Sequence, residues 1–187
     1  MVPHPIFLIV NPNPTILVGC NQKVVCIRVQ GKGSFQNSTG IKKFANAMID
    51  RGHRNFVVDL ADCPVMDSTF MGTLTGVALR LHGIGQGDLH VINSNERNTG
   101  LLEGLGLDQI LSLENGGSPV CNECDSLRAD ANDALPPDAE SADKRVVTET
   151  MRDAHQALVD ADPQNLSKFK DVLEYLKHDL RTGEPVD

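Results

Sequence analysis

The chain has 187 residues, 40% of them apolar, with no Trp and one Tyr. This length suits one domain, or one domain with an appendage, around an aliphatic core. A net charge of −8 and so few aromatic rings argue against a general nucleic-acid binder or a base-stacking platform. Residues 1–121 hold nine acids and nine bases, and residues 122–187 hold sixteen acids and eight bases, so the acidity belongs to the C-terminal part.

The first residues, Met1-Val2-Pro3-His4-Pro5, carry no basic region, and the apolar run 6–10 is too short for a signal peptide. No stretch approaches the roughly 18 apolar residues of a membrane span. The expectation is a soluble, cytoplasmic protein. Its five cysteines are expected to be reduced thiols rather than a disulfide framework.

Residues 16–20 and 24–30 read as two strands of a hairpin turning at Asn21-Gln22-Lys23. A helix is expected from Ser38-Thr39 to Gly52, because Ile41, Phe44, Ala45, Met48 and Ile49 recur on one face. Residues 56–60 are apolar at nearly every position, as in a central strand. A second helix starts near Ser68 with Asp67 or Ser68 as its cap, turns Met71, Leu74, Ala78 and Leu81 inward, and ends at Gly83. A strand over 89–93, a short helix over 95–104 and a strand over 110–113 complete the order β-β-α-β-α-β-α-β. The later β-α-β steps favour parallel pairing with right-handed crossovers.

After Gly116-Gly117 the composition turns to Asn, Asp, Ser, Pro and Ala, which reads as a linker. Two amphipathic helical patterns follow. Val147, Met151, Ala154 and Leu158 mark the first, and Leu166, Phe169, Val172, Leu173, Leu176 and Leu180 mark the second, with Pro163 opening it. The expected organisation is an α/β domain over 1–117, a linker over 118–142 and an acidic helical hairpin over 143–182. The hairpin must bury its apolar rows on each other, on the α/β part or on a second copy of the chain.

Asp67-Ser68-Thr69 is the place where chemistry is expected. A serine in the first turn of a helix presents its hydroxyl beside main-chain N–H groups without helical partners. Those groups and the helix dipole would accept a phosphate on that hydroxyl. The same residue types are also the standard helix caps.

Residues 24–113 resemble the STAS domain, the fold of bacterial anti-sigma factor antagonists. The resemblance rests on the apolar strand 24–31 ending in Gly, the helix 39–51, the strand 57–60 ending in Asp59-Leu60, and Asp67-Ser68-Thr69-Phe70-Met71-Gly72 opening the next helix. Residues 89–93 and 101–107 extend it. It implies a small mixed or parallel sheet with amphipathic helices, and a regulator rather than an enzyme. By the resemblance, Ser68 is the phospho-acceptor, with Thr69 as its neighbour. The partners implied are an anti-sigma serine kinase of the GHKL type, bound by the unmodified protein, and a PP2C-type phosphatase. Asp67, Ser68, Thr69, Phe70, Met71 and Ser34 are the implied contact residues. Phe70 stands where the family has Gly, and Ser34 stands where an acid is often found. STAS modules also serve as unphosphorylated adaptors in larger assemblies, which is the alternative function. No cofactor is implied.

Other motifs carry less. Cys121-Asn122-Glu123-Cys124 is a single C-x-x-C without the second pair that a structural zinc site needs. Gly83-Ile84-Gly85-Gln86-Gly87 follows a helix and precedes a strand, the reverse of a dinucleotide loop, and reads as a turn. No histidine is near Ser68 in sequence, and His82 and His155 show no ligand spacing. The helical hairpin remains a candidate dimer interface or docking arm.

Overall fold

A computed structural model describes residues 15–114, 133–135 and 143–182. β1 (Thr15–Cys20) and β2 (Val25–Gln30) form the expected hairpin, with Asn21 Oδ1 accepting from the N–H groups of Lys23 and Val24 at 2.8 Å each. α1 (Phe35–Asp50), β3 (Asn55–Asp62), α2 (Ser68–Ile84), β4 (Asp88–Ile92), α3 (Glu96–Glu103) and β5 (Ser112–Glu114) follow in the expected order. β2, β3, β4 and β5 pair in parallel, and β1 pairs antiparallel with β2.

Two expectations are corrected here. α1 begins four residues earlier than Thr39, because Ser34 is the N-cap and Asn37 Oδ1 accepts from its N–H at 3.0 Å. Within the expected linker, β6 (Asp133–Leu135) adds antiparallel to β1, so the sheet has six strands in the order β5-β4-β3-β2-β1-β6.

Alternation along the strands divides the core. Val25, Ile27 and Val29 of β2, Phe56, Val58 and Leu60 of β3, and Leu89 and Val91 of β4 pack with α1 and α2 in the main cluster. The opposite face carries a smaller cluster of Val24, Cys26, Val57 and Ile92. On that face the buried Asp59 carboxylate meets the Arg28 guanidinium at 3.1 Å and accepts from Asn93 Nδ2 at 2.9 Å.

The C-terminal hairpin consists of α4 (Lys144–Ala161), a 3-10 turn (Pro163–Asn165) and α5 (Leu166–Thr182). Its apolar rows are used within the chain: Leu158 enters the main cluster, and Leu173 and Leu176 are buried. Leu166 and Tyr175 stay exposed. Among the described residues no helix is long and apolar enough to cross a membrane. Cysteine chemistry departs from the expectation of reduced thiols, since Cys26 is disulfide-bonded while Cys20 and Cys63 are free. An odd number of cysteines leaves room for a bridge, and composition says nothing of which pair meets. Cys121 and Cys124 lie outside the described residues.

Candidate functional site

Ser68 is the first residue of α2, as the capping pattern requires. Asp67 is the N-cap, and its Oδ1 accepts from the Phe70 N–H at 2.9 Å. Its Oδ2 accepts from the Phe35 N–H at 3.0 Å, so one carboxylate closes the first turns of both α2 and α1. The main chain holds this junction in register: Asp67 N–H donates to Gly33 O at 2.9 Å, and Gly33 N–H donates to Val65 O at 3.0 Å.

The Ser68 side chain does not stand free. Ser68 is half-buried, and its Oγ lies 3.0 Å from His155 Nε2 of α4. His155 Nδ1 lies 2.7 Å from the Met151 carbonyl oxygen. A carbonyl can only accept, so Nδ1 carries the proton. In the neutral ring Nε2 is then the acceptor, and the Ser68 hydroxyl donates to it. His155 is only 4% exposed, and its ring packs against Phe169 of α5 at 5.2 Å between centroids, tilted by 58°.

The remaining expected contact residues lie inside. Thr69, Phe70 and Met71 are buried, and so is Ser34. As apolar surface contacts Phe70 and Met71 are therefore corrected, because α2 has protein on two sides, the sheet below and α4 above. Phe70 is wholly covered and fills space over Gly33, where an added Cβ would come within 2.8 Å of its ring. That explains locally why an aromatic ring can stand here: the facing residue has no side chain.

α4 reaches this close because α2 presents small residues to it. A Cβ on Gly72 would overlap the main-chain carbonyl of Ala154, and one on Gly76 would sit 3.6 Å from the Ala157 Cβ. Polar pairs complete the contact. Thr39 Oγ1 donates to Thr150 Oγ1 at 3.3 Å, and Lys42 Nζ meets Asp153 Oδ2 at 2.6 Å. Burial pushes the Asp153 carboxyl up, but hydrogen bonds from Lys42 and Arg152 and their charges outweigh it and hold it below the ordinary aspartate value. The turn of the hairpin is tied down by Asn165 Nδ2, which donates to Leu105 O and Leu158 O at 2.9 Å each. Below the junction Cys63 is inert as a nucleophile: burial pushes its thiol up, against weaker backbone hydrogen bonds.

Among the described residues no group of His, Cys, Asp and Glu could hold a metal ion. The residue that sequence reasoning missed is His155. Its signal was position, since Met151, Ala154, His155 and Leu158 fall on one face of α4, and a polar ring in an apolar row needs a partner.

Residues 15–120 match the STAS domain family. No match is found among curated proteins. Among solved structures, the chain is similar to a Thermotoga maritima protein assigned as an anti-sigma factor antagonist, with 18% identity, a TM-score of 0.50, and coverage of 59% of this chain and 92% of that one. It is also similar to an anti-sigma factor antagonist from Mycobacterium paratuberculosis, with 18% identity, a TM-score of 0.49 and coverage of 61% and 92%. The anti-sigma factor antagonist SpoIIAA in its unphosphorylated form gives 16% identity, a TM-score of 0.47 and coverage of 61% and 97%. The family match runs through more than half of the chain and takes in β1 to β5 and α1 to α3, the elements that frame Ser68: the chain belongs to the STAS domain family.

Proposed function

We propose that the protein is a partner-switching regulator of the anti-sigma factor antagonist kind. Its unmodified form binds a serine kinase of the GHKL type through the Ser68 end of α2, and phosphorylation of Ser68 ends that binding. The carrying observation is Ser68 as the first residue of an Asp67-capped helix in a STAS domain. A phosphate there adds about −1.5 to −2 charges and three acceptor oxygens. It would lie beside main-chain N–H groups that favour it and beside the Asp67 carboxylate that does not. A partner face made for a neutral hydroxyl would then meet an uncompensated charge, and a tenfold loss of affinity needs only about 1.4 kcal/mol. A PP2C-type phosphatase would restore the binding form. The reading is non-enzymatic: Ser68 accepts a phosphate from a kinase, and the Ser68–His155 hydrogen bond holds α4 against α2.

Incubation with GHKL-type kinases and ATP, followed by mass spectrometry, should add one phosphate that Ser68→Ala removes. A phosphate that persists in Ser68→Ala, or none on either the parent chain or Gly72→Ala, whose added methyl displaces α4, overturns this reading. The half-burial of Ser68 favours one alternative, an adaptor that carries no phosphate. That alternative predicts a stable complex with a second protein that survives Ser68→Asp.

A further inference from the structure

The family match ends at residue 120, and the hairpin of α4 and α5 begins at Lys144. The hairpin nevertheless supplies the hydrogen-bond partner of the Ser68 hydroxyl, through His155. It also lies along α2 at Gly72 and Gly76 and reaches α1 at Thr39 and Lys42. The face of α2 that carries Ser68 is thus already occupied by part of the same chain.

We propose that the C-terminal hairpin is an intramolecular cap on the Ser68 site, and that docking of the hairpin and modification of Ser68 exclude one another. The inference rests on Ser68 being the acceptor for its second half only; the cap stands on geometry. A phosphoryl group on Ser68 Oγ needs the space that His155 fills at 3.0 Å. Modification therefore opposes docking, and by linkage docking opposes modification by the same factor.

The make-up of the contact fits a surface that opens. Where α4 meets α1 and α2 along its length it combines small residues, Gly72, Gly76, Ala154 and Ala157, with three polar pairs, while Leu158 reaches the main cluster near its end. An open cleft of about 220 Å³ lies between the three helices, lined by Val77 and Ala154 as well as Lys42, Arg80, Thr150 and Asp153. Small and polar contacts within a chain resemble transient interfaces, and elements held partly by them open at lower cost than the core strands.

Gly72→Ala is a wedge for the test. Alanine is the better helix former, so α2 itself gains, while the added methyl overlaps the Ala154 carbonyl and pushes α4 away. The reporter is the full-length Ser68→Cys variant, labelled with N-ethylmaleimide and read by peptide mass spectrometry, with exposed Cys20 as internal reference. The introduced thiol should label well below the Cys20 rate, and adding Gly72→Ala should raise its rate about tenfold or more with the Cys20 rate unchanged. Labelling at the Cys20 rate without the wedge, or an unchanged rate with it, overturns the cap. Should Gly72→Ala unfold the chain, hydrogen exchange on the parent decides: α4 amides exchanging faster than β3 amides support the cap, and equal rates sink it. Absence of phosphate on Ser68 in both the parent and Gly72→Ala would remove the acceptor role and leave the labelling result standing.

Discussion

Asp67 holds the first turns of two helices with one carboxylate, and this makes it the most economical residue of the junction. Asp67→Ala should cost about 1–2 kcal/mol in urea unfolding, the upper range for a lost cap, and Asp67→Asn clearly less. Phe70 and Gly33 form a second local unit. Gly33→Ala should destabilise by about 1–3 kcal/mol through overpacking, and the cost should shrink in a Phe70→Leu background, as a double-mutant cycle would show. The cap residue and the helix start at Ser68 were legible in the sequence because capping chemistry spans only a few residues. The bond from Ser68 to His155 was not, because its partners lie 87 residues apart. The exposed hydroxyl expected from local pattern is half-buried, because α4 packs along this face of α2.

At the scale of elements, α2 shows why amphipathic reasoning fell short. From Ser68 to Leu79 it carries no charged residue, and the helix is buried from Thr69 to Thr75. A helix apolar nearly all round is one with neighbours on both sides. The hydroxyls of Thr73 and Thr75 stay inside because each donates to the carbonyl four residues earlier, at 2.8 Å. The apolar rows of α4 and α5 were readable, but the surface that receives them is a long-range choice. The Lys42–Asp153 contact makes that docking acid-sensitive. The Asp153 carboxyl sits below its ordinary value of 3.8 when docked, so its contribution is full above that value and is lost as pH falls through the lower, docked one. Protection factors of α4 amides, corrected for intrinsic exchange, should therefore fall as pH drops below 3.8, and Asp153→Asn should flatten that dependence. β6 escaped notice because three residues cannot show a period.

For the molecule as a whole, the order of elements along the chain and the parallel pairing were readable, the latter because successive β-α-β units favour it. The edges are short: β5 and β6 have three residues each, which limits the main chain offered to another sheet. Disulfide status was not readable, since it depends on which chain segments meet. Reduction should lower the urea midpoint of the native chain and should have no such effect on Cys26→Ala. The resemblance to known STAS patterns fixed the domain well and was silent on α4 and α5, which lie outside the matched residues.

The pairing of Leu135 with Ile16 anchors the polypeptide to the sheet just ahead of α4. Roughly eight residues separate that anchor from the start of α4, a leash of at most about 28 Å. A released arm on so short a leash stays at an effective concentration of about a millimolar, so an outside protein competes with a rival that never diffuses away. If the arm is released, peeling β6 from β1 would lengthen that leash and dilute the rival, so the three-residue pairing on the far edge would set how readily the arm returns.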